Sequence, residues 1–411
     1  MPRKDQESGL AVYFREDPAG RLWLDERNRF VFRYDKRWLQ NEGAIPLSVS
    51  LPLREQPYAD DLARPFFANL LPEAEIRKVI ARRFRISEKN DYALLREIGG
   101  DCAGAVSVLP EGVRPSVKGG YREINEEELH KVIVELPKRP LLAGDKGIRL
   151  SLAGAQNKLP VYMEDDRIFL PTGNAPSTHI LKPAIPGFEE TVENEAFCMM
   201  LAERMGLPVP KVAIRRSPDI LYVIERYDRM QDKQGKILRL HQEDFCQALG
   251  ILPENKYESE GGPALARCFD LLKEASVSPA ADHRTLILWF VFNRLIGNAD
   301  AHAKNLAILY TMEGPRLAPF YDIMCTQVYP GLSDRLAMRI GGENRAAWIQ
   351  NRHFERLGRE VGIKPRLIER IVDDMSKKIL PTADAVARDF ARAYDDCAII
   401  EKIIEVIKNN S

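Results

Sequence analysis

The chain has 411 residues, enough for two or three domains with sizeable cores. Its 60 basic residues equal its 60 acidic ones, so no overall field draws it to nucleic acid or to an acidic membrane surface. With 45% hydrophobic and 29% charged residues it falls among globular rather than disordered chains.

No apolar run approaches the length of a membrane span, and Met1 to Glu7 lacks the apolar core of a signal peptide. Neither the cysteines nor the histidines fall at zinc-site spacing. We therefore expect a cytoplasmic protein with buried, reduced thiols and no membrane contact.

Residues 9–53 read as short strands at 10–14, 22–24 and 30–34, separated by turns at Pro18-Ala19-Gly20 and Glu26-Arg27-Asn28. Short strands with frequent turns predict a small antiparallel sheet or barrel. Helices follow at 74–84 and 91–97, and then Gly99-Gly100-Asp101-Cys102-Ala103-Gly104. That run has neither Walker spacing nor a Lys-Ser/Thr ending, so it reads as a tight packing turn into a strand at 106–109. Residues 110–121, rich in Gly and Pro, form the best linker of the first half. A short helix at 126–135 and a proline-containing loop at 137–147 lead on from it.

Residues 150–162 look like strand, small-residue turn, strand. Ala153, Gly154 and Ala155 let a backbone approach a ligand closely, and the N–H groups of such a turn make an anion-binding concavity. An ordinary hairpin with a glycine turn has the same pattern. A strand at 178–183 then sets Lys182 in an apolar run, where an unpaired ammonium is costly. A lysine on a strand behind a phosphate loop is how kinases engage nucleotide phosphates. The helix at 192–205 offers Glu193 and Glu195 as partners. We favour Glu195, since a solvated place in the first turn accounts for Glu193. After strands at 214 and 221–224, Glu225-Arg226-Tyr227-Asp228-Arg229 is either a plain charged turn or the segment beside which an adenine lies.

From His241 onward the pattern predicts helices at 242–249, 264–275, 282–296 and across 354–407. The apolar run 286–292 marks a buried helix, and it delivers Asn298-Ala299-Asp300-Ala301-His302-Ala303-Lys304-Asn305. Asp300 stands five residues ahead of Asn305, and Asp322 follows in Phe320-Tyr321-Asp322-Ile323. In a phosphoryl-transfer site of the protein-kinase type, one Asp accepts the proton of the attacking hydroxyl and an Asn five residues later takes magnesium. A further Asp, beyond a short hairpin, holds the metals against the phosphates. All three side chains are hard oxygen donors, as magnesium requires. A plain helix end with a turn also favours Asn and Asp; the upstream Lys182 and the small-residue turn tip the reading towards phosphoryl transfer.

Several separated motifs then stand in one order: Ser151-Leu-Ala-Gly-Ala-Gln-Asn-Lys158, Thr178-His-Ile-Leu-Lys182, Asn194-Glu195, Glu225-Arg-Tyr-Asp-Arg229, Gln242-Glu-Asp-Phe-Cys246, Asn298 to Asn305, and Tyr321-Asp322. In this the chain resembles the HipA family, serine/threonine protein kinases of bacterial toxin–antitoxin modules. The resemblance implies Asp300 as the catalytic Asp, Asn305 and Asp322 as magnesium ligands, and Lys182 as the lysine at the phosphates of ATP. It implies Leu152, Ala153, Gly154, Ala155, Gln156 and Asn157 as the phosphate loop, Glu225, Arg226 and Tyr227 as the hinge near adenine, and Gln242 at the nucleotide. His302 either orients Asp300, contacts phosphate or stabilises its loop. Ser151 matches the autophosphorylated serine of the family. Pro160, in the second strand of the loop, departs from the family pattern.

The resemblance further implies a protein substrate among the aminoacyl-tRNA synthetases, notably glutamyl-tRNA synthetase, whose modification halts translation. It also implies restraint by a HipB-like helix-turn-helix antitoxin that supplies most of the contact with operator DNA. The expected fold is α+β, two-lobed and protein-kinase-like, with a β-rich N-terminal part (1–110), an α/β part carrying the phosphate loop and hinge (111–230), and an all-α C-terminal lobe (231–411). A nucleotide cleft between the lobes is expected. A nucleotide-sensing corepressor acting with a DNA-binding partner is the alternative, and a small-molecule kinase a further one.

Overall fold

The computed structural model describes residues 9–115, 119–144, 152–173 and 175–411. Ser151 and the first strand expected at the start of the 150–162 loop lie outside them. The described residues mix helices with several sheets, as an α+β chain requires. They group into two compact units: Met1–Leu181 with Asp228–Pro253, and Lys182–Tyr227 with Glu254–Ser411.

In the first unit, strands β1 (Leu10–Phe14), β2 (Asp17–Leu24), β3 (Phe30–Tyr34) and β4 (Val106–Pro110) form an antiparallel sheet in the order β3-β2-β1-β4. Leu10 pairs with Leu22 on one side and with Pro110 on the other. The inward residues Leu10, Val12, Leu22 and Phe32 are fully buried, together with Phe66 and Phe67 of the Asp60–Ala68 helix. Each such side chain contributes about 1.5–3 kcal/mol by leaving water. β2 begins earlier than the turn at Pro18-Ala19-Gly20 suggests. The pairing shifts register between Val12 and Tyr13, opposite Gly20 and Pro18, so a bulge lets the proline stay in the strand. The helices Ala74–Phe84, Asp91–Ile98 and Glu126–Glu135 lie where the sequence places them.

A second set of strands, β5 (Gly120–Ile124), β6 (Leu159–Glu164), β7 (Arg167–Thr172) and β8 (His179–Pro183), runs in the order β5-β7-β6-β8. Leu159, Val161, Leu181 and Ile168 supply its apolar side chains. The Gly99 to Gly104 run is the packing turn expected. Gly104 has φ +71°, and a Cβ there would lie 2.7 Å from the Gln242 backbone nitrogen, so only glycine fits.

The second unit is richer in helices: Thr191–Arg204, Leu265–Ala275, Pro279–Leu295, Asn351–Glu360, Pro365–Tyr394 and Ala398–Asn410. The Thr191–Arg204 helix is buried on nearly every side, and Phe197 meets Phe390 with ring centroids 6.1 Å apart. Strands β9 (Val212–Arg215) and β10 (Leu221–Glu225) pair antiparallel.

The residues from 231 onward are not all helical, contrary to expectation. Ala307–Thr311 and Gly314–Leu317 form a hairpin, and Arg335–Ile340 pairs with Glu343–Arg345. The stretch at 242–249 is also divided, into a strand at His241–Asp244 and a short helix at Phe245–Ala248. These strands are too short for a period-two pattern to stand out. The 242–249 helix is cut short at Asp244, whose side chain and that of Gln247 bond reciprocally in a capping box.

Candidate active site

The site grows from the end of one helix. Pro279–Leu295 buries Trp289 against Phe320, with ring centroids 5.9 Å apart, and stops where Gly297 takes φ +72°. A Cβ on Gly297 would lie 2.6 Å from Val406 Cγ1, so glycine is needed for the turn and for the packing. Asn298 Nδ2 donates to Asn293 Oδ1 at 2.7 Å, and Asn298 Oδ1 accepts from the Asp300 N–H at 3.1 Å. The Asp300 backbone is thereby fixed on the helix end, while its side chain stays exposed.

His302 and Asn305 brace each other across the short turn Ala303–Asn305. The His302 N–H donates to Asn305 Oδ1 at 3.0 Å, and the Asn305 N–H donates to the His302 carbonyl at 2.9 Å. Both are buried. An amide oxygen has two lone pairs, so this bond orients Asn305 and leaves a second pair for a cation.

The segment carrying Asp322 is tied to this loop by hydrogen bonds. Tyr321 Oη donates to the Lys304 carbonyl at 2.7 Å, and the Ala299 N–H donates to Thr326 Oγ1 at 2.8 Å. Asp322 itself has φ +52°, a left-handed conformation uncommon outside glycine and concentrated at functional sites.

Lys182 Nζ donates to Glu195 Oε1 at 2.7 Å and also to Asp322 Oδ1. Burial alone would lower the Lys182 pKa, but the charges of Asp322 and Glu195 outweigh it and hold the ammonium above its ordinary value. Lys182 is thus kept protonated. Tyr222 of β10 lies beneath it, with Nζ 5.5 Å from the ring centroid. The choice between the two glutamates is settled by geometry. Glu195 faces Lys182, whereas Glu193 is buried against Arg216, 3.6 Å away, rather than solvated. Asn194 between them is fully buried and bonds both backbone groups of Cys325, accepting at 2.8 Å and donating at 2.9 Å. It fastens the Glu195 helix to the Asp322 segment, a function the sequence pattern did not disclose.

Tyr257 is a second residue that the sequence did not reveal. Its hydroxyl donates to Asp300 Oδ1 at 2.6 Å, and its ring meets His302 edge-on at 5.2 Å. The two side chains come together from positions 43 apart in the chain, with no local motif to mark the pair.

Glu225 is exposed, Arg226 buried, and Tyr227 stacks on Tyr321 at 5.9 Å with 27° between the rings. All of these belong to the second unit. The remaining expected residues belong to the first. There Gly154 has φ +111°, its carbonyl accepts from the Glu73 N–H at 3.1 Å, and Lys158 Nζ donates to the Ala153 carbonyl at 2.7 Å. Leu152 is buried, Ala155 exposed, and Gln156 and Asn157 half-buried. Among the described residues Asn157 Oδ1 is buried without a hydrogen bond. Gln242 Nε2 donates to Asp228 Oδ2 at 3.1 Å.

Among the described residues no three His, Cys, Asp or Glu side chains gather to hold a metal by themselves. Magnesium is commonly held by one or two protein oxygens together with phosphates and water, so Asp322 and Asn305 suit it.

Comparison with known proteins places this arrangement in a family. Residues 150–383 match the HipA-like C-terminal domain, and residues 10–109 the HipA N-terminal domain. The chain belongs to the HipA family. A putative kinase, Y4mE, of Sinorhizobium fredii is 43% identical over 407 residues, covering 97% of this chain and 96% of that one. The serine/threonine-protein kinase toxin HipA of Shewanella oneidensis is 32% identical over 349 residues, covering 81% and 79%. Among solved structures, the Shewanella oneidensis MR-1 complex of HipA, HipB and operator DNA superposes with a TM-score of 0.83 at 28% identity, over 98% of this chain and 95% of that one. No helix among the described residues is long and apolar enough to cross a membrane.

Proposed function

We propose that this HipA-family chain is an ATP-dependent serine/threonine protein kinase with a protein-kinase-like catalytic part, acting as the toxin of a toxin–antitoxin module. One observation carries the reading: a buried lysine clasped by Glu195 and Asp322, in the same unit that holds Asp300 and Asn305 on one braced loop. A binding protein has no need of a base and a charged lysine so placed.

Asp300 takes the proton of the attacking serine hydroxyl while the new bond to the γ-phosphorus forms and ADP leaves. Lys182 stabilises the charge on the phosphoryl group, and residues 152–157 are proposed as the phosphate loop. Magnesium, when bound, neutralises the phosphates, and Asn305 and Asp322 are the residues that would hold it. Glu225, Arg226, Tyr227 and Gln242 are assigned to the nucleotide. A HipB-like antitoxin that brings operator DNA is the proposed partner, supported by the assembly of the Shewanella relative. An aminoacyl-tRNA synthetase such as glutamyl-tRNA synthetase is the proposed substrate.

The test is phosphate incorporated into glutamyl-tRNA synthetase from ATP and magnesium. Incorporation that vanishes with Asp300→Asn supports the reading; ATP binding without transfer to any protein favours a nucleotide-sensing corepressor. Ser151 is proposed as the self-inactivating site, because a phosphoserine adds roughly 1.5–2 negative charges beside a loop built for phosphates. Ser151→Ala protein should keep its activity during incubation with ATP while wild type loses it, and equal decay of the two would exclude this role.

A further inference from the structure

We infer that Tyr257 is a positioning residue for the catalytic base, an inference that rests on Asp300 being that base. The phenol hydroxyl donates to Asp300 Oδ1 at 2.6 Å. A carboxylate offers two oxygens, and with Oδ1 held by the phenol, Oδ2 is the atom that receives the substrate proton. Asp300 is exposed, so without such a bond its side chain would sample several rotamers in water. Its backbone is already fixed by Asn298, and Tyr257 supplies the constraint that the backbone cannot.

Tyr257 is itself delivered by a locked turn. Its carbonyl accepts from the Glu260 N–H at 3.0 Å and the Gly262 N–H at 2.9 Å. A Cβ on Gly262 would lie 2.3 Å from the Asn255 carbonyl and 2.7 Å from that of Tyr257, so the turn closes only around glycine. Glu258 Oε2 accepts from the Arg339 N–H at 2.6 Å, which pins the turn to the Arg335–Ile340 strand. The ring is met by Lys256, whose Nζ lies 5.4 Å from its centroid, and by the imidazole of His302. A rigid platform, a packed ring and one short bond to the reacting carboxylate are what preorganisation of a base requires. The His302 backbone bonds to Asn305, while its ring meets that of Tyr257.

The experiment compares wild type with Tyr257→Phe, Tyr257→Leu and Asp300→Asn. It measures kcat for protein phosphorylation, the affinity for ADP with magnesium, and the melting temperature. Tyr257→Phe keeps the ring contacts and loses only the hydroxyl. It should lower kcat about tenfold to a hundredfold, as a misplaced base does, with ADP affinity and melting temperature unchanged, and Tyr257→Leu should lower kcat at least as much. If Tyr257→Phe turns over as fast as wild type or faster while Asp300→Asn is inactive, the inference falls and the base assignment stands. If Tyr257→Leu alone loses activity, the ring is merely packing and the inference falls again. If Asp300→Asn keeps full activity, the base assignment itself fails and takes this inference with it.

Discussion

Lys182 and Glu195 form an ion pair across 2.7 Å with only 6% and 5% of their side chains exposed. Two charges so far out of water are held by each other and by Asp322, and removing one strands the rest. The Lys182 pKa lies above its unfolded value, so the stability from this pairing is fully present below about pH 10.5 and is lost only as pH rises through the folded value. At neutral pH the lysine is a permanent cation.

Lys182→Met should therefore destabilise the protein by about 3–5 kcal/mol, because two carboxylates are left facing each other. If Lys182 serves the phosphates as proposed, its loss should also cut phosphoryl transfer by about a hundredfold or more. Denaturant unfolding together with single-turnover transfer measures both effects.

His241 in the first unit predicts an acid-sensitive fold. Its ring is fully buried against Phe14, and Nε2 lies 2.8 Å from the Leu47 carbonyl. Burial pushes its pKa down to about 4 against the helping bond to Leu47, with Arg15 lowering it and Asp228 raising it. The folded state then keeps His241 neutral while the unfolded chain takes up a proton below about pH 6.5. Stability should fall between pH 6.5 and pH 4, by up to about 3 kcal/mol from this group. Urea midpoints at pH 7 and pH 5 should differ less in His241→Gln than in wild type.

Gly154 tests the proposed phosphate loop. At φ +111° any side chain is strained by about 1–3 kcal/mol, and a Cβ would meet Lys158 Nζ at 2.6 Å. The lysine tip can swing away, so the strain dominates and the loop must reshape. Gly154→Ala should weaken ATP binding about tenfold with a small fall in melting temperature. Isothermal titration with ATP beside a thermal melt separates the two effects.

Much of this was legible in the sequence where the signal is local. The Ala74–Phe84 helix follows from its apolar spacing, and the Glu126–Glu135 helix from spacing and the Asn125 cap. The apolar helix ending at Gly297 and the Asp300 to Asn305 loop could be read from residue order alone. What stayed hidden depends on long-range pairing. Tyr257 on Asp300, Asn194 on Cys325 and the Glu193–Arg216 pair join residues far apart in the chain, and no periodicity records them. The hairpin at Ala307–Thr311 and Gly314–Leu317 is too short to outweigh the helical pattern around it.

Whether Asp300 drives phosphoryl transfer is read from the intact mass and phosphosite map of the purified protein after incubation with magnesium and ATP, wild type beside Asp300→Asn. Wild type should carry phosphate at Ser151 and Asp300→Asn none. Equal phosphate on both, or none on either in protein that binds ATP and starts unmodified, would contradict that role.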